Sequence, residues 1–379
     1  MTNKFHCPLW DGALSFDAGL RRRLCCHDHT GFSEDYSKSL SNFKLLKEVK
    51  ESSEQGEVPK NCTACFQLEK DTGDSPRKYY QKIFSNHQKK NELKYVDITF
   101  ENICNLSCFS CKPAYSQKIE KELNSLNIHV NNEGLSAREF QEKFNTIKDH
   151  IIENIAHKSL VVISGGEPAL SKNVEEFITQ LSNVEHSKTI TLRVFTNLTI
   201  PSDWILKFTE HFKKIEVIIS IDAIGARAEY IRFPCNWKTI DSNYQSLTIE
   251  SLKYPNIEVN VHTVLSILNF DHIPTLIEYF LKSDLNLFPS FTPLSSPKYY
   301  MIEGLTEKKL NETRNSVLSY LNSLDIDTIN LEKLNILKSL ITNLKCSKES
   351  LLMELILHHK KIDTLRKTTL LKEIEYLAP

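Results

Sequence analysis

Between residues 94 and 300 the sequence alternates strand-prone and helix-prone stretches six times, and this rhythm restricts the fold more than any other feature. The predicted strands cover residues 95–103, 160–164, 189–196, 214–222, 257–266 and 285–293, with helical patterns in the gaps. Six βα repeats predict an α/β fold, a parallel sheet covered by helices. One helix is marked residue by residue. Ser136-Ala-Arg-Glu139 is a capping box, and Phe140, Phe144, Ile147, Ile151 and Ile155 follow at helical spacing, which assigns that face to the core. In barrels of such repeats the reacting groups collect at the C-terminal ends of the strands.

The first predicted strand runs into Cys104-Asn-Leu-Ser-Cys108-Phe-Ser-Cys111. Three thiolates at C-x3-C-x2-C spacing can wrap one soft metal centre. Iron–sulfur clusters are ordinarily held by four cysteines. Three leave one metal position open, which is the logic of a catalytic rather than a structural site. The plainer readings are a zinc loop or three buried cysteines. The second strand ends in Gly165-Gly166-Glu167-Pro168. Two glycines allow close backbone approach and Glu167 can accept from an ammonium group, although an ordinary turn has the same composition. The third strand ends at Asn197, and the fourth at Ser220-Ile-Asp222, with Arg232 on the helix that follows. An arginine suits a carboxylate bidentately. The plain alternatives are a helix cap for Asp222 and a surface ion pair for Arg232. The fifth strand carries His262 and Val264, and His262 reads as a hydrogen-bonded barrel histidine with no metal partner nearby.

Residues 1–93 read differently. Two short runs joined by Asp17-Ala-Gly19 predict a β-hairpin, the Arg21–Arg23 run reads as a solvated strand face, and a helical piece lies near residues 41–52. Cys7, one of Cys25 and Cys26, Cys62 and Cys65 form a candidate set of four ligands for zinc or a [4Fe-4S] cluster, with His27 and His29 available to a zinc site. Ten cysteines without a leader pattern argue for metal ligation in a reducing cytoplasm rather than disulfides. A net charge of −1 gives no strong field for nucleic acid or membrane, and no apolar run approaches a membrane span. Residues 301–379 read as helical, with stripes at Leu334, Leu337, Ile341 and Leu344 and at Leu351, Leu352, Leu355 and Ile356. Cys235 and Cys346 are expected to be buried extras. Tyr299 and Tyr300 are expected where the chain leaves the sheet.

The triplet, followed one βα unit later by Gly-Gly-Glu-Pro, resembles the motifs of the radical S-adenosylmethionine (SAM) enzymes. The resemblance implies a partial (β/α)6 barrel over residues 94–300, with Cys104, Cys108 and Cys111 on a [4Fe-4S] cluster whose unique iron SAM chelates. One electron then cleaves SAM to methionine and a 5′-deoxyadenosyl radical, which removes hydrogen from a substrate. It implies Gly165, Gly166 and Glu167 at the SAM amino group, and Asn197 where relatives carry Thr-Asn-Gly, although Leu198 replaces that glycine. Ser220, Asp222 and Arg232 are implied at the ribose or carboxylate, and Val264 beneath adenine. Phe109 is implied against adenine, one position earlier than in relatives, which leaves Ser110 in the usual place.

C-x11-G-x5-C followed by C-x2-C is similar to the twitch/SPASM auxiliary-cluster domains of the same family. That implies an auxiliary [4Fe-4S] cluster on Cys7, Cys25 or Cys26, Cys62 and Cys65. In relatives this domain follows the barrel and the glycine-to-cysteine gap is four residues; here it precedes the barrel and the gap is five. The implied layout is an auxiliary-cluster domain over 1–93, the barrel over 94–300 and a helical C-terminal region over 301–379. The segment 362–366 resembles the C-terminal helix of twitch-bearing relatives, and also suits a helix that packs on the barrel's flank. The implied substrate is a peptide or protein side chain (a ribosomally made, modified peptide), with a sugar or nucleotide as the alternative. The implied electron donor is a ferredoxin or flavodoxin. A non-catalytic iron–sulfur or zinc protein, acting as relay or scaffold, would need no SAM pocket.

Overall fold

The computed structural model describes residues 5–28, 34–35, 43–84, 92–128, 136–347 and 351–377. Nine strands among them form one sheet: β1 (Ala13–Phe16), β2 (Arg21–Arg23), β3 (Glu34–Asp35), β4 (Leu93–Thr99), β5 (Ile155–Ser164), β6 (Thr191–Thr196), β7 (Lys214–Ser220), β8 (Ile257–Leu265) and β9 (Ser290–Pro293). Their order is β3-β2-β1-β4-β5-β6-β7-β8-β9. From β4 onward every strand lies parallel beside its sequence neighbour. Before β4 come the helices α1 (Lys44–Glu54), α2 (Thr63–Thr72) and α3 (Pro76–Ile83), and between β4 and β5 come α4 (Gln117–Ser125) and α5 (Ala137–Asn154). Then follow α6 (Lys172–Ser182), α7 (Asp203–Leu206), α8 (Gly225–Ile231), α9 (Trp237–Lys253) and α10 (Ile273–Leu281). The chain closes with α11 (Glu307–Ser323), α12 (Thr328–Asn343), α13 (Leu352–Arg366) and α14 (Leu370–Glu373). Among the described residues no helix is long and apolar enough to cross a membrane.

Alternation along the strands assigns the two faces of the sheet. Val96, Ile98, Val161, Ile163, Val194, Val217 and Val261 share one core with Phe144, Ile147 and Ile151 of α5 and with Phe177 and Leu181 of α6. The capping box that starts α5 forms as its sequence requires. Tyr95, Leu160 and Val162 face the other way, and pack with Cys7, Leu9, Trp10, Leu24, Tyr80 and Phe84 of the N-terminal segment. That segment therefore covers part of this second face, and β1 joins β4 directly in parallel register. Sheet and core are continuous across the boundary drawn at residue 93. A third core gathers the C-terminal helices around Leu334, Leu337, Ile341 and Leu355, the stripes expected of them.

All six expected strands form, with shifted ends. The first stops at Thr99 instead of running to Ile103, because the chain turns out of the sheet to present the cysteine loop. The sixth starts at Ser290, not 285, because α12 takes over the backbone before it. Asn330 accepts from Phe288 N (3.2 Å) and donates to Asn286 O (2.9 Å), and Asn286 has φ +45°. The hairpin also forms, but its left-handed residue is the buried Leu20 (φ +54°) rather than Gly19. Asp17 holds that turn by accepting from Gly19 N (2.9 Å) and Arg21 N (3.1 Å).

The arginine run corrects the expectation of a solvated face. Arg21 is exposed, but Arg22 is buried with its guanidinium over Phe43, and Arg23 reaches the buried Asp97 (3.1 Å). Cys235 is buried as expected, whereas Cys346 is only half-buried. His29 lies outside the described residues.

Candidate functional site

The C-terminal ends of β4 to β8 bring the predicted residues of the cysteine loop and the strand-end motifs together. Cys104, Cys108 and Cys111 are all free thiols on the loop after β4, and Cys108 is buried. The loop is fastened on three sides. Glu167 N donates to Ile103 O (2.7 Å), which ties the Gly-Gly-Glu turn to the residue before the first cysteine. Asn197 Nδ2 donates to Asn105 Oδ1 (3.0 Å) and points at Cys104 Sγ (3.9 Å), while Asn105 Nδ2 donates to Thr199 Oγ1 (2.7 Å). Ser107 N and Phe109 N donate to Phe233 O (2.6 Å) and Ile231 O (3.1 Å), on either side of Arg232.

The two glycines are dictated by this closeness. Gly165 (φ +79°) lies so near Thr99 that a Cβ would sit 2.0 Å from its Cγ2. A Cβ on Gly166 (φ +54°) would sit 2.4 Å from Ile103 O. At Leu198, where the Thr-Asn-Gly motif of the resemblance would have glycine, the backbone has φ +57° and the side chain is fully buried. The left-handed conformation costs a leucine about 1–2 kcal/mol, and burying its side chain returns about 1.5–3 kcal/mol, so burial outweighs the strain.

Glu167 is buried, and its carboxylate accepts from Thr196 Oγ1 (2.8 Å), Ala169 N (3.3 Å) and Asn197 N (2.6 Å). A carboxylate has about four lone-pair sites, so one acceptor position remains for a further donor. Burial pushes its pKa up, against the pull of those donors and Arg232. Asp222, also buried, pairs with Arg232 Nη1 (2.8 Å) and accepts from Val264 N (2.9 Å) and Ser110 Oγ (3.3 Å). It caps no helix, and Arg232 is no surface residue. Burial opposes the charge of Arg232, and the carboxylate of Asp222, hydrogen-bonded to it, counters that and keeps the guanidinium protonated. Its Nε is buried without a partner. Ser220 ends β7 opposite His262, whose Nε2 meets Thr292 Oγ1 at 3.0 Å.

Phe109 is enclosed by aromatic neighbours. It is buried in the C-terminal core, with its ring 4.5 Å from His359, 5.4 Å from Tyr230 and 5.5 Å from Tyr300. Ser110, beside it, turns toward Asp222. Tyr300 is likewise buried in this core.

The N-terminal cysteines line one cavity on the sheet's second face. Cys7, Cys25, Cys62 and Cys65 border it, together with His27, Arg77 and Tyr80. Neighbouring N–H groups of Leu9, His27, Trp10 and Arg77 pull the pKa values of Cys7, Cys25, Cys62 and Cys65 down, against the larger upward push of burial. Cys26 does not border the cavity; its sulfur lies 3.2 Å from Tyr95 Oη and 3.7 Å from Tyr80 Oη. Among the described residues no three or more His, Cys, Asp or Glu side chains are already gathered as a metal ion would need.

Burial dominates the thiols of both sets. It pushes Cys111 and Cys26 up to about 11, Cys7 and Cys62 up to about 12, and raises Cys104, Cys108, Cys25 and Cys65 as well. The metal-free protein therefore holds neutral thiols, and a bound metal would displace their protons.

Several site partners gave no local signal in the sequence. Asp97 could have been noticed as the lone acid in an apolar strand. Asn105 and Thr199 find each other only through the fold.

No protein-family model matches the chain, and no curated protein matches it. Among solved structures the chain is similar to native anSMEcpe with bound AdoMet and the Cp18Cys peptide. The identity is 18%, covering 61% of this chain and 59% of that one, at a TM-score of 0.42. It is also similar to Streptococcus suis SuiB bound to the precursor peptide SuiA, at 13% identity over 73% of this chain and 59% of that one, with a TM-score of 0.40. The chain thus spans about three fifths of the length of each of these proteins.

Proposed function

We propose that this protein is a radical SAM enzyme. The observation that carries the reading is the joining of three parts. A loop of three free thiols is stapled through Ile103 to the Gly-Gly-Glu turn, and a buried Arg232 with an unpartnered Nε stands over it. The donor set fits the group: three soft sulfurs for a [4Fe-4S] cluster, an open acceptor on Glu167 for an ammonium, and an arginine donor for a carboxylate. When bound, the cluster supplies the electron that splits SAM and so generates the radical that takes hydrogen from substrate. Cys104, Cys108 and Cys111 would hold it. Gly165 and Gly166 let the backbone approach, Glu167 would orient the amino group, and Arg232, braced by Asp222, would fix the carboxylate. Ser220 and Val264 at neighbouring strand ends would border the nucleoside. Asn197 braces the cysteine loop, Ser110 donates to Asp222, and Phe109 would lie toward adenine as the resemblance implies. The six parallel strands in sequential order suit the partial barrel of that family.

The N-terminal cavity would hold an auxiliary [4Fe-4S] cluster on Cys7, Cys25, Cys62 and Cys65, in the manner of twitch/SPASM domains. Four cysteines bordering one cavity suit such a cluster. Four protein ligands leave no vacant iron, which favours electron acceptance over substrate binding. Zinc remains the competing occupant. The twitch/SPASM likeness favours a peptide or protein side chain over a sugar or nucleotide as substrate, and a ferredoxin or flavodoxin as donor, in a reducing cytoplasm.

Anaerobic reconstitution with iron and sulfide, then dithionite and SAM, tests the reading. Wild type should release 5′-deoxyadenosine, and Cys104→Ala should fall to background. A fully loaded wild type that makes none, with Cys104→Ala behaving identically, would favour a non-catalytic relay.

A further inference from the structure

The helix α13 reaches the cysteine loop through its last residue. Arg366, the last residue of α13, has a side chain only 3% exposed. Its Nε and Nη2 form a fork onto the Glu122 carboxylate (both 2.6 Å). Nη2 also donates to the carbonyl of Ser107 (2.7 Å). The guanidinium lies over two rings, 4.4 Å from the centroid of Phe109 and 4.9 Å from that of Phe233. Ser107 and Phe109 flank Cys108 on either side. The Ser107 peptide is thus gripped at both ends, by Phe233 O at its N–H and by Arg366 at its carbonyl.

We propose that Arg366 is a positioning residue for the cysteine loop. By holding the Ser107 carbonyl and the Phe109 ring, it sets the direction in which Cys108 projects and hence the spacing of the three thiols. A simple tie between α13 and α4 needs only the charge pair with Glu122, which a lysine retains. Loop positioning needs a planar fork that donates in two fixed directions while lying flat on two rings, which a lysine cannot supply. Arg366→Lys therefore separates the two roles. The inference rests on the radical SAM reading only for what the loop holds.

The test uses the full chain. In the metal-free protein, iodoacetamide labelling is followed by peptide mapping. Arg366→Lys should raise the labelling rate of Cys108 on the order of tenfold through local opening, with Cys7 and the melting midpoint close to wild type. An unchanged Cys108 rate, or equal acceleration at Cys7, overturns the proposal. In the reconstituted protein, anaerobic iron release to a chelator should be faster in Arg366→Lys than in wild type, and equal release overturns the proposal while leaving the radical SAM reading intact. A wild type that takes up no iron overturns that reading instead, and the labelling result then decides the positioning role.

Discussion

Cys25 and Cys26 are adjacent in the chain and face different neighbours. The cavity takes Cys25, while Cys26 is held by the hydroxyls of Tyr95 and Tyr80. The spacing of the sequence admits either cysteine, because the choice depends on tyrosines 54 and 69 positions away. We expect Cys25→Ala to lose one metal centre by iron, sulfide and zinc analysis, and Cys26→Ala to keep it. The reverse result would refute the ligand assignment, and loss of zinc alone would replace the auxiliary cluster by a zinc site. The same limit explains the arginine run. Its charge reads as solvated until Asp97, distant in sequence, supplies a buried partner for Arg23. By contrast, the Gly-Gly-Glu turn was legible because paired glycines themselves signal a close backbone approach, although what approaches, Thr99 and Ile103, is distant in sequence.

Among the elements, periodicity announced β4 to β9 and the core face of α5, since both depend on which side of a strand or helix meets apolar neighbours. What it left out are the captures made by other elements, such as Asn330 of α12 replacing the ladder before β9. On α13, His359 is buried against Phe109 with Nδ1 2.5 Å from Tyr230 Oη. Burial, with His358 and Arg366 adding to it, lowers its pKa from 6.5 to about 3. Below the unfolded value the unfolded chain binds a proton that the folded chain refuses, so stability falls as the pH drops from about 6.5 toward 3. One such group costs about 1.4 kcal/mol per pH unit, or about 2 kcal/mol at pH 5. Urea unfolding at pH 7.5 and pH 5 should show this loss in wild type and about that much less of it in His359→Gln. An identical pH dependence in the two proteins would show that His359 is protonated in the fold.

At the scale of the whole molecule, the sheet and the second-face core both run through the boundary at residue 93. Removing residues 1–92 would bare Leu160 and Val162, each worth about 1.5–3 kcal/mol when buried, along with Tyr95 and the flank of β4. The full chain should therefore melt in one transition spanning both parts, and the fragment 93–379 should aggregate or melt without cooperativity. A fragment that melts cooperatively at the parent's temperature would show the two parts to be independent. A composition break at residue 93 is visible in the sequence, whereas strand pairing across it is not, because β1 and β4 meet only after some eighty intervening residues are folded away. The rim of the sheet at β9 carries a last consequence. That strand has four residues and stops at Pro293, whose nitrogen cannot donate. A visiting polypeptide finds few free amide rungs to zip onto there. A guest chain arriving at that rim would then be gripped through its side chains, and discrimination between guests would follow their shape and charge rather than main-chain pairing.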